Sequence, residues 1–282
     1  MVPCRRPVRE WYNQGMTSGR NTPSPTAGLA AARRPVAAWL AGRIEYGDYA
    51  ALAERLAWEV SEPQGRCPTL VVCELEPVIT IGRLGSRTDV RLSADELRDH
   101  RIEMKFTGRG GGAVPHVAGQ VFAALFASLD DLGLAPHDVA GLVARLESGT
   151  AGALEQVQCG TLRLPGVPGV FGRSGMLAAW GLAVRRGVVS HGAFVNVRPD
   201  PDLLPRVDVV PAACRGRHVP TTTMGSIEGD LQRPVRMQDV RTALVHSIAA
   251  AFAFPRVLVH SGFPGGIPAT GRRGGKVVSH AG

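Results

Sequence analysis

The sequence predicts a single mixed α and β domain. The chain has 282 residues, of which 44% are hydrophobic and 5% aromatic, so it can bury one sizeable core with appendages. Segments with helical spacing and short apolar runs typical of strands both occur in its middle part. These observations favour one α/β-containing domain over several small ones.

Four segments have the features of helices. In residues 49–60, Leu52, Leu56 and Val60 are four apart, as one face of a helix requires. Residues 93–96, with the sequence Ser-Ala-Asp-Glu, form a capping box that opens a short helix. The other two predicted helices cover residues 138–154 and 238–252.

Four apolar runs predict strands, at residues 68–74, 121–127, 181–186 and 193–198. Cys73 lies in the first run and is expected in the core, because a free cysteine behaves as a small hydrophobe. The sequence motifs then fall between strands, where a sheet can hold a ligand loop rigidly.

Arg109–Gln120 is the most informative stretch, with the sequence Arg-Gly-Gly-Gly-Ala-Val-Pro-His-Val-Ala-Gly-Gln. Glycine lacks a Cβ and tolerates positive φ, so a ligand can approach its backbone closely. Such a run by itself is more often a tight turn than a site.

This run resembles the Arg-Gly-Gly…His…Gly-Gln signature of LipB-type lipoyl (octanoyl) transferases, which belong to the biotin/lipoyl protein ligase superfamily. The resemblance covers about residues 37–235, and five further blocks in the family's order and spacing argue against chance. These blocks are Ala41–Tyr46, similar to the family's opening strand, Glu74–Arg83, Pro168–Phe171, Ala178–Gly181 and His191–Val197.

The resemblance implies an α+β fold, a biotin/lipoyl protein ligase-like catalytic domain whose mixed sheet is flanked by helices. It also implies the reaction: octanoyl passes from acyl carrier protein through a cysteine thioester to a lysine of a lipoyl domain. The implied acceptors are lipoyl domains of 2-oxoacid dehydrogenases or glycine cleavage H protein. No cofactor is implied, and a monomer is expected.

In the family, the glycine loop and two turns at residues 179–181 and 192–194 line an acyl tunnel. For His116 a plain turn residue is the alternative, and His191 and Asn196 are alternatively structural groups at strand ends. The candidate substrate-binding residues are Arg109, Gly110, Gly111, Gly112, Ala113, Val114, Pro115, His116, Gly119, Gln120, Ala179, Trp180, Gly181, His191, Gly192, Ala193 and Phe194.

The chain departs from the family at both catalytic positions. Met176 stands where the family has a lysine, and Ala212 stands where it has the cysteine. Cys214, two residues further on, is the candidate displaced nucleophile, with an inert, partly buried thiol as the alternative. A thiolate is the reactive form of cysteine, and a nearby cation favours it.

Other side chains could support such a thiolate. Arginine stays protonated at ordinary pH and can stabilise a thiolate or oxyanion, whereas histidine titrates near pH 7 and would carry proton transfer. The Thr221–Thr223 triplet is expected to be a strand or turn edge, since no neighbouring base is identified. The candidate cations are Arg173, Arg215 and Arg217, and the candidate histidines are His116, His191 and His218.

Two functions therefore remain open at this point. Only Lys105 and Lys276 are lysines among 32 basic residues, so no neighbouring lysine can replace the missing one, and an ATP-dependent ligase would need the same lysine. The first function is octanoyl transfer in lipoate biosynthesis. The second is a catalytically degenerate family member that binds acyl groups or acylated carrier domains without turnover.

Charge is concentrated at the two ends of the chain. The formal net charge is +8, but residues 1–36 carry +5 and residues 256–282 carry +4, which leaves −1 for the centre. Both end regions read as flexible basic tails. The predicted division is therefore a tail at 1–36, an acyltransferase domain at 37–255 and a tail at 256–282. A neutral centre argues against a nucleic-acid-binding face, while arginines near the site would favour acidic carrier domains.

No stretch of about 18 apolar residues suggests a membrane span, and no signal peptide is evident. The acid-poor N-terminus is compatible with a transit segment, but no amphipathic helix is evident. The five cysteines have no zinc-like spacing, and a cytoplasmic location is expected.

Overall fold

The structure is a computed structural model that describes residues 33–164, 167, 169–210 and 224–266. Its strands are β1 (Val36–Ile44), β2 (Thr69–Leu75), β3 (Val78–Ile81), β4 (Glu103–Phe106), β5 (Ala113–His116), β6 (Gln120–Ser128), β7 (Val170–Gly172), β8 (Gly175–Arg185), β9 (Val188–Asn196) and β10 (Val257–Ser261). Its helices are α1 (Tyr46–Ser61), α2 (Ala94–Asp99), α3 (Val139–Gln156), α4 (Ile227–Leu231) and α5 (Met237–Ala251), with single 3₁₀ turns at Arg87–Asp89 and Leu204–Arg206.

The main sheet has seven strands in the order β10-β1-β2-β6-β9-β8-β7. β1 runs parallel to both of its neighbours, and the other pairs are antiparallel, so the sheet is mixed. A second sheet of three short strands, β4-β3-β5, stands beside it. The predicted α+β fold with a mixed sheet flanked by helices is confirmed.

Helices cover both faces of the main sheet. α3 and α5 pack against each other, and their apolar side chains share one buried cluster with residues of the main sheet. α1 packs on β6 and β9 within a second cluster, and a third, smaller cluster lies at the three-stranded sheet. The space between α1, the main sheet and the small sheet is where the candidate site lies.

The predicted helices are present, and the apolar spacing and capping residues that predicted them have the expected contacts. α1 buries Leu52, Leu56 and Val60 on one face, as their spacing requires. At α2, Ser93 Oγ accepts from the Glu96 amide and the Glu96 carboxylate accepts from the Ser93 amide, which completes the predicted capping box. The helices expected at 138–154 and 238–252 are α3 and α5, each within two residues of its predicted bounds.

Several strand predictions need correction. The opening strand was expected to include Glu45 and Tyr46, but β1 ends at Ile44 and Tyr46 begins α1. The turns predicted at residues 179–181 and 192–194 are instead the middles of β8 and β9, which pair with each other there. The run predicted at 181–186 is only the last part of β8. The strands at 68–74 and 121–127 are confirmed as β2 and β6, and Cys73 is fully buried.

The boundary predicted at residue 255 is wrong. β10 follows it and pairs in parallel with β1, from Val36↔Val257 to Leu40↔Ser261. The sequence did not predict this strand because β10 is short and a Gly/Pro-rich sequence follows it. The sheet therefore extends to Ser261, inside the predicted C-terminal tail.

Among the described residues, no helix is both long and apolar enough to span a bilayer. Predictions for Ala212, Cys214, Arg215, Arg217, His218 and Thr221–Thr223 lie outside the part of the chain that the structure describes.

Candidate active site

A small cavity lies between α1, the main sheet and the three-stranded sheet. Its volume of about 10 Å³ is close to that of one water molecule by the same measure. It brings together five of the predicted binding residues, which are Arg109, His116, Gly181, His191 and Phe194. The remaining lining residues are Tyr46, Tyr49, Leu75, Thr80 and Phe122.

Arg109 is 4% exposed and lies beside this cavity. Its Nη2 donates to Thr80 O at 2.9 Å and to Thr80 Oγ1 at 2.7 Å, and its Nη1 donates to Gly110 O at 2.9 Å. Within the described part of the chain, it forms no ion pair with a carboxylate. Burial lowers its pKa to about 10, so Arg109 is a buried cation at neutral pH.

Gly181 makes room for this arginine. A Cβ at position 181 would lie 2.7 Å from Arg109 Cδ, closer than real Cβ contacts, and 3.0 Å from Gly110 O, a tight contact that would require the backbone to shift. Only glycine at this point of β8 lets the guanidinium pack over the strand.

The glycine loop itself is held by backbone hydrogen bonds on both sides. The Gly110 amide donates to Leu182 O at 2.7 Å, and the carbonyls of Gly111 and Gly112 accept from Leu84 and Gly82. Gly111 has φ +83°, which glycine adopts without strain. The loop is therefore a fixed connection to β3 and β8, and Ala113, Val114, Pro115 and His116 continue it as strand β5.

A chain of buried polar side chains runs from Arg109 across the core. Thr80 Oγ1 lies 3.0 Å from His116 Nε2, and His116 Nδ1 lies 3.1 Å from Gln120 Oε1. Gln120 Nε2 donates to Asn196 Oδ1 at 2.8 Å, and Asn196 Nδ2 donates to Gly225 O at 3.0 Å.

The donors and acceptors in this chain fix the tautomer of His116. Gln120 Oε1 can only accept, so His116 Nδ1 carries the proton, and Nε2 accepts from the Thr80 hydroxyl. Thr80 Oγ1 in turn accepts from Arg109. Every hydrogen bond therefore points the same way, from the cation to the backbone carbonyl of Gly225, and each one polarises the next.

Both histidines of the site are neutral at pH 7. Burial, and then the nearby Arg109 charge, lower the pKa of His116 to about 3 and that of His191 to about 4. His191 has φ +68°, an uncommon conformation for a residue other than glycine that recurs at functional sites. Neither imidazole has the pKa of an efficient general base near neutrality.

Met176, at the family's lysine position, lies at the beginning of β8 and is 1% exposed. It belongs to the apolar cluster that contains Phe171 and Met224, and it forms a bridge with Met224. Its carbonyl accepts from the Gly225 amide at 2.9 Å. At the position that the resemblance assigns to the family's lysine, the structure therefore has a buried apolar side chain.

Not all predicted site residues meet at the cavity. Trp180 and Ala193 belong to the cluster on the opposite face of the sheet, under α3 and α5, because successive residues of a strand point to opposite faces. Ala179 lies on the cavity's side, in the cluster with Phe194. Gly119 accepts from the amides of Val197 and Arg198 and thereby joins the start of β6 to the end of β9.

Among the candidate cations, Arg173 is the one that the structure describes. Its guanidinium donates to Asp230 O, and its amide donates to Asp230 Oδ2 at 2.7 Å. No cluster of three or more metal-ligating side chains occurs within the described ranges.

Sequence reasoning missed Tyr46, Tyr49 and Thr80. Tyr49 precedes Leu52 by three residues, so helical spacing could have placed it on the buried face of α1. Thr80 lies in the family-like block Glu74–Arg83, which could have drawn attention to it, but its role depends on β3 lying beside Arg109 and His116.

A groove of about 480 Å³ adjoins the cavity and shares Tyr46 and His191 with it. One wall is the alanine-rich face of α1, with Ala50, Ala53 and Ala57, and Trp58 and Phe106 flank it with 63% and 73% exposure. The other lining residues are Glu54, Ser61, Thr107, Gly108, Ala183, Arg185, Arg186, Val188 and Ser190.

Comparison with known sequences identifies relatives over most of the chain. The model of the lipoyl protein ligase A/B catalytic domain matches residues 45–249. The chain is 32% identical to an octanoyltransferase of Geobacter metallireducens, over 76% of this chain and 90% of the relative. It is 30% identical to an octanoyltransferase of Roseiflexus sp., over 74% and 87%, and 27% identical to one of Bordetella parapertussis, over 80% and 99%.

Solved structures agree on the fold. A bi-partite lipoate protein ligase from Thermoplasma acidophilum superposes with a TM-score of 0.62 at 17% identity, covering 81% of this chain and 86% of that one. A lipoate-protein ligase A bound with ATP gives a TM-score of 0.60 at 17% identity, covering 80% and 87%.

Proposed function

The chain belongs to the lipoyl protein ligase A/B catalytic-domain family, and from this premise we propose that it is an octanoyltransferase of lipoate biosynthesis. As an acyltransferase, it takes octanoyl from acyl carrier protein and passes it to a lysine of a lipoyl domain. The observation that carries the proposal is the similarity to octanoyltransferases along nearly their whole length. The groove beside the cavity, which has the alanine-rich face of α1 as one wall, gives a medium-length acyl chain a place to bind.

We further propose Cys214 as the nucleophile. Its thiolate attacks the thioester carbonyl and releases the carrier's thiolate; the acceptor lysine amine then attacks the new thioester, and its proton goes to the departing Cys214 sulfur. Support comes from two of the other thiols, which are buried. Burial raises the pKa of Cys73 to about 12 and that of Cys159 to about 11, so both are poor nucleophiles at neutral pH.

The proposed partners follow from the same function. Octanoyl-acyl carrier protein is the donor, and lipoyl domains of 2-oxoacid dehydrogenases or glycine cleavage H protein are the acceptors. We assign the protein to the cytoplasm, since the three described cysteines are free thiols, and we propose that it acts as a monomer. Its acyltransferase domain spans residues 36–266, from the first residue of β1, between a basic N-terminal segment and the remaining C-terminal residues.

Intact-protein mass spectrometry after mixing with octanoyl-acyl carrier protein tests this function. We expect an octanoyl adduct on Cys214 that disappears as an added lipoyl domain gains the group. Cys214→Ala should abolish both signals, while Cys159→Ala is the matched control, because Cys159 is a buried thiol elsewhere in the fold. Unchanged transfer by Cys214→Ala would exclude this nucleophile.

The buried, apolar setting of Met176 favours a second candidate, a protein that binds acyl groups or acylated carriers without turnover. In that case the wild-type chain gives no adduct and no transfer but still binds a partner. The double variant Met176→Lys, Ala212→Cys, which restores both family residues, would then gain transfer. Activity in the wild-type chain would rule out this candidate.

A further inference from the structure

Tyr49 carries a polar atom that the fold leaves unsatisfied. Its side chain is 1% exposed, and its Oη has no hydrogen-bond partner in the described structure. The ring is well packed, with Phe122 at 5.1 Å and His191 at 6.0 Å in edge-on contacts. A phenylalanine would make the same packing contacts without leaving a buried hydroxyl unpaired, which is unfavourable for stability.

The same cavity holds a second uncompensated group. Arg109 lines it together with Tyr49, and the four hydrogen bonds that its guanidinium donates go to neutral oxygens, those of Thr80 and Gly110. A buried cation without a counter-ion is costly, and an anionic oxygen would offset that cost. An unpartnered hydroxyl and a buried cation without a carboxylate partner, both lining one space, indicate a ligand that brings an oxygen to it.

The size of the cavity limits what can enter. At about 10 Å³ it accommodates one oxygen atom or one water molecule, but no alkyl chain. The adjoining groove is large enough for the chain, and its α1 wall of Ala50, Ala53 and Ala57 is apolar. Tyr46 and His191 stand where the cavity meets the groove.

We infer that Tyr49 and Arg109 form a binding site for an acyl oxygen, with the alkyl chain of the ligand directed outwards along the groove. The oxygen belongs either to the carboxylate of a free medium-chain acid or to the carbonyl of its thioester. The inference rests on the proposed function for the acyl class of the ligand, and it adds which residues bind the polar end and how the chain is oriented.

Calorimetric titration of the full chain with octanoate tests the inference. Tyr49→Phe should weaken octanoate binding about tenfold, as expected for the loss of one hydrogen bond to a charged group. The thermal midpoint of this variant should not fall, because the hydroxyl has no partner to lose. Trp39→Phe is the matched control: Trp39 Nε1 is also buried and unpartnered but does not line the cavity, so octanoate affinity should stay unchanged.

Two further ligands distinguish the sources of the oxygen. The thioester octanoyl-N-acetylcysteamine should also lose affinity in Tyr49→Phe, and octanamide should bind wild type about tenfold more weakly than octanoate because Arg109 prefers an anion. Loss of octanoate binding alone would assign the site to free acids. Loss of thioester binding alone would assign it to acyl thioesters.

Two results would overturn the inference: affinities of Tyr49→Phe equal to those of wild type for both octanoate and the thioester, or no binding of either acyl ligand by the wild-type chain. Equal binding of octanamide and octanoate would overturn the part of the inference that assigns the oxygen to Arg109. The titration needs no turnover. A chain that binds octanoate through Tyr49 but transfers nothing therefore contradicts only the proposed function, whereas an active chain with unchanged Tyr49→Phe affinity contradicts only this inference.

Discussion

The hydroxyl of Thr80 connects a buried cation to a buried imidazole. It accepts from Arg109 Nη2 and donates to His116 Nε2. Arg109 and His116 are each only 4% exposed, so water could not take the place of the hydroxyl as their hydrogen-bond partner. One small side chain therefore determines both the position of Arg109 and the tautomer of His116.

Thr80→Val should lower the free energy of unfolding by about 2 kcal/mol, since it preserves the side-chain shape but leaves a charged donor and a ring nitrogen unpaired. Urea unfolding at pH 7 measures the change. Thr150→Val is the control: Thr150 is equally buried, but its hydroxyl only adds a bond to Leu146 O within α3, so its loss should cost less than about 1 kcal/mol. An equal loss of unfolding free energy in the two variants would show that the hydrogen bonds of Thr80 to Arg109 and His116 add no stability.

The two neutral histidines make stability depend on pH. Their folded-state pKa values, about 3 for His116 and about 4 for His191, lie below the 6.5 of an unfolded chain. As the pH falls below 6.5 the unfolded state takes up protons first, so the stability present above that pH is lost progressively towards pH 4. The free energy of unfolding falls by at most about 1.4 kcal/mol per pH unit for each histidine. The partly exposed His191 contributes less of this fall than His116.

Urea midpoints at pH 7 and pH 5 measure this dependence, and the midpoint should be lower at pH 5. His191→Gln should reduce the difference, whereas His246→Gln, at an exposed position of α5, should leave it unchanged. A midpoint that does not move between the two pH values would contradict the assignment of both imidazoles as neutral.

At the scale of elements, α4 fixes the beginning of β8. The carboxylate of Asp230 accepts from the amides of Arg173 and Ser174 at 2.7 Å each, across the turn between β7 and β8. Asn196, at the end of β9, donates to Gly225 O just before α4. A five-residue helix thus holds the strand that carries Met176.

Asp230→Ala should reduce stability by about 1 to 2 kcal/mol, because two amides lose a charged acceptor. Amide hydrogen exchange should accelerate at residues 173–178 in particular. Asp138→Ala removes a comparable cap, the bond to the Gly141 amide at 2.8 Å, and should accelerate exchange only at the start of α3. Unchanged exchange at the β7–β8 turn in Asp230→Ala would show that α4 does not hold it.

The length of an element decided whether it could be predicted from the sequence. α1, α3 and α5 each extend over four or more turns, so the spacing of their apolar residues was readable. β3, β4, β5 and β7 have three or four residues each, too few for a periodic signal. The turns that the resemblance implied at 179–181 and 192–194 lie within strands, and at position 181 the glycine is explained by the close approach of Arg109.

The candidate site was predictable only in part. The motif residues Arg109, His116 and His191 could be read along the chain, and they do line one cavity. The roles of Tyr49 and Thr80 in the site could not be predicted, because they arise from contacts between α1, β3 and the glycine loop, which are distant in sequence. Gly181 and Trp180 lie on opposite faces of β8, and only Gly181 faces the cavity. Which face that is likewise depends on where the helices pack.

At the scale of the whole molecule, β10 completes the sheet beside β1. The Gly262 amide donates to Leu40 O at 3.0 Å, and the Trp39 ring stacks on His260 with centroids 4.5 Å apart. Arg55 of α1 also donates to Pro264 O. The helix that supplies Tyr49 is therefore tied to the segment after the predicted domain boundary.

Two truncations compare the boundaries directly. Ending the chain after Pro255 removes β10 and leaves the edge of β1 unpaired, which should lower the free energy of unfolding by about 3 kcal/mol or more, since several backbone hydrogen bonds and the Trp39 stack are lost. Ending it after Gly266 keeps all of these contacts and should leave the urea midpoint within error of the full chain. Because Arg55 lies on α1, the shorter variant should also bind octanoate more weakly than the longer one. Equal midpoints for the two truncations would place the boundary at residue 255 after all and make β10 dispensable for the fold.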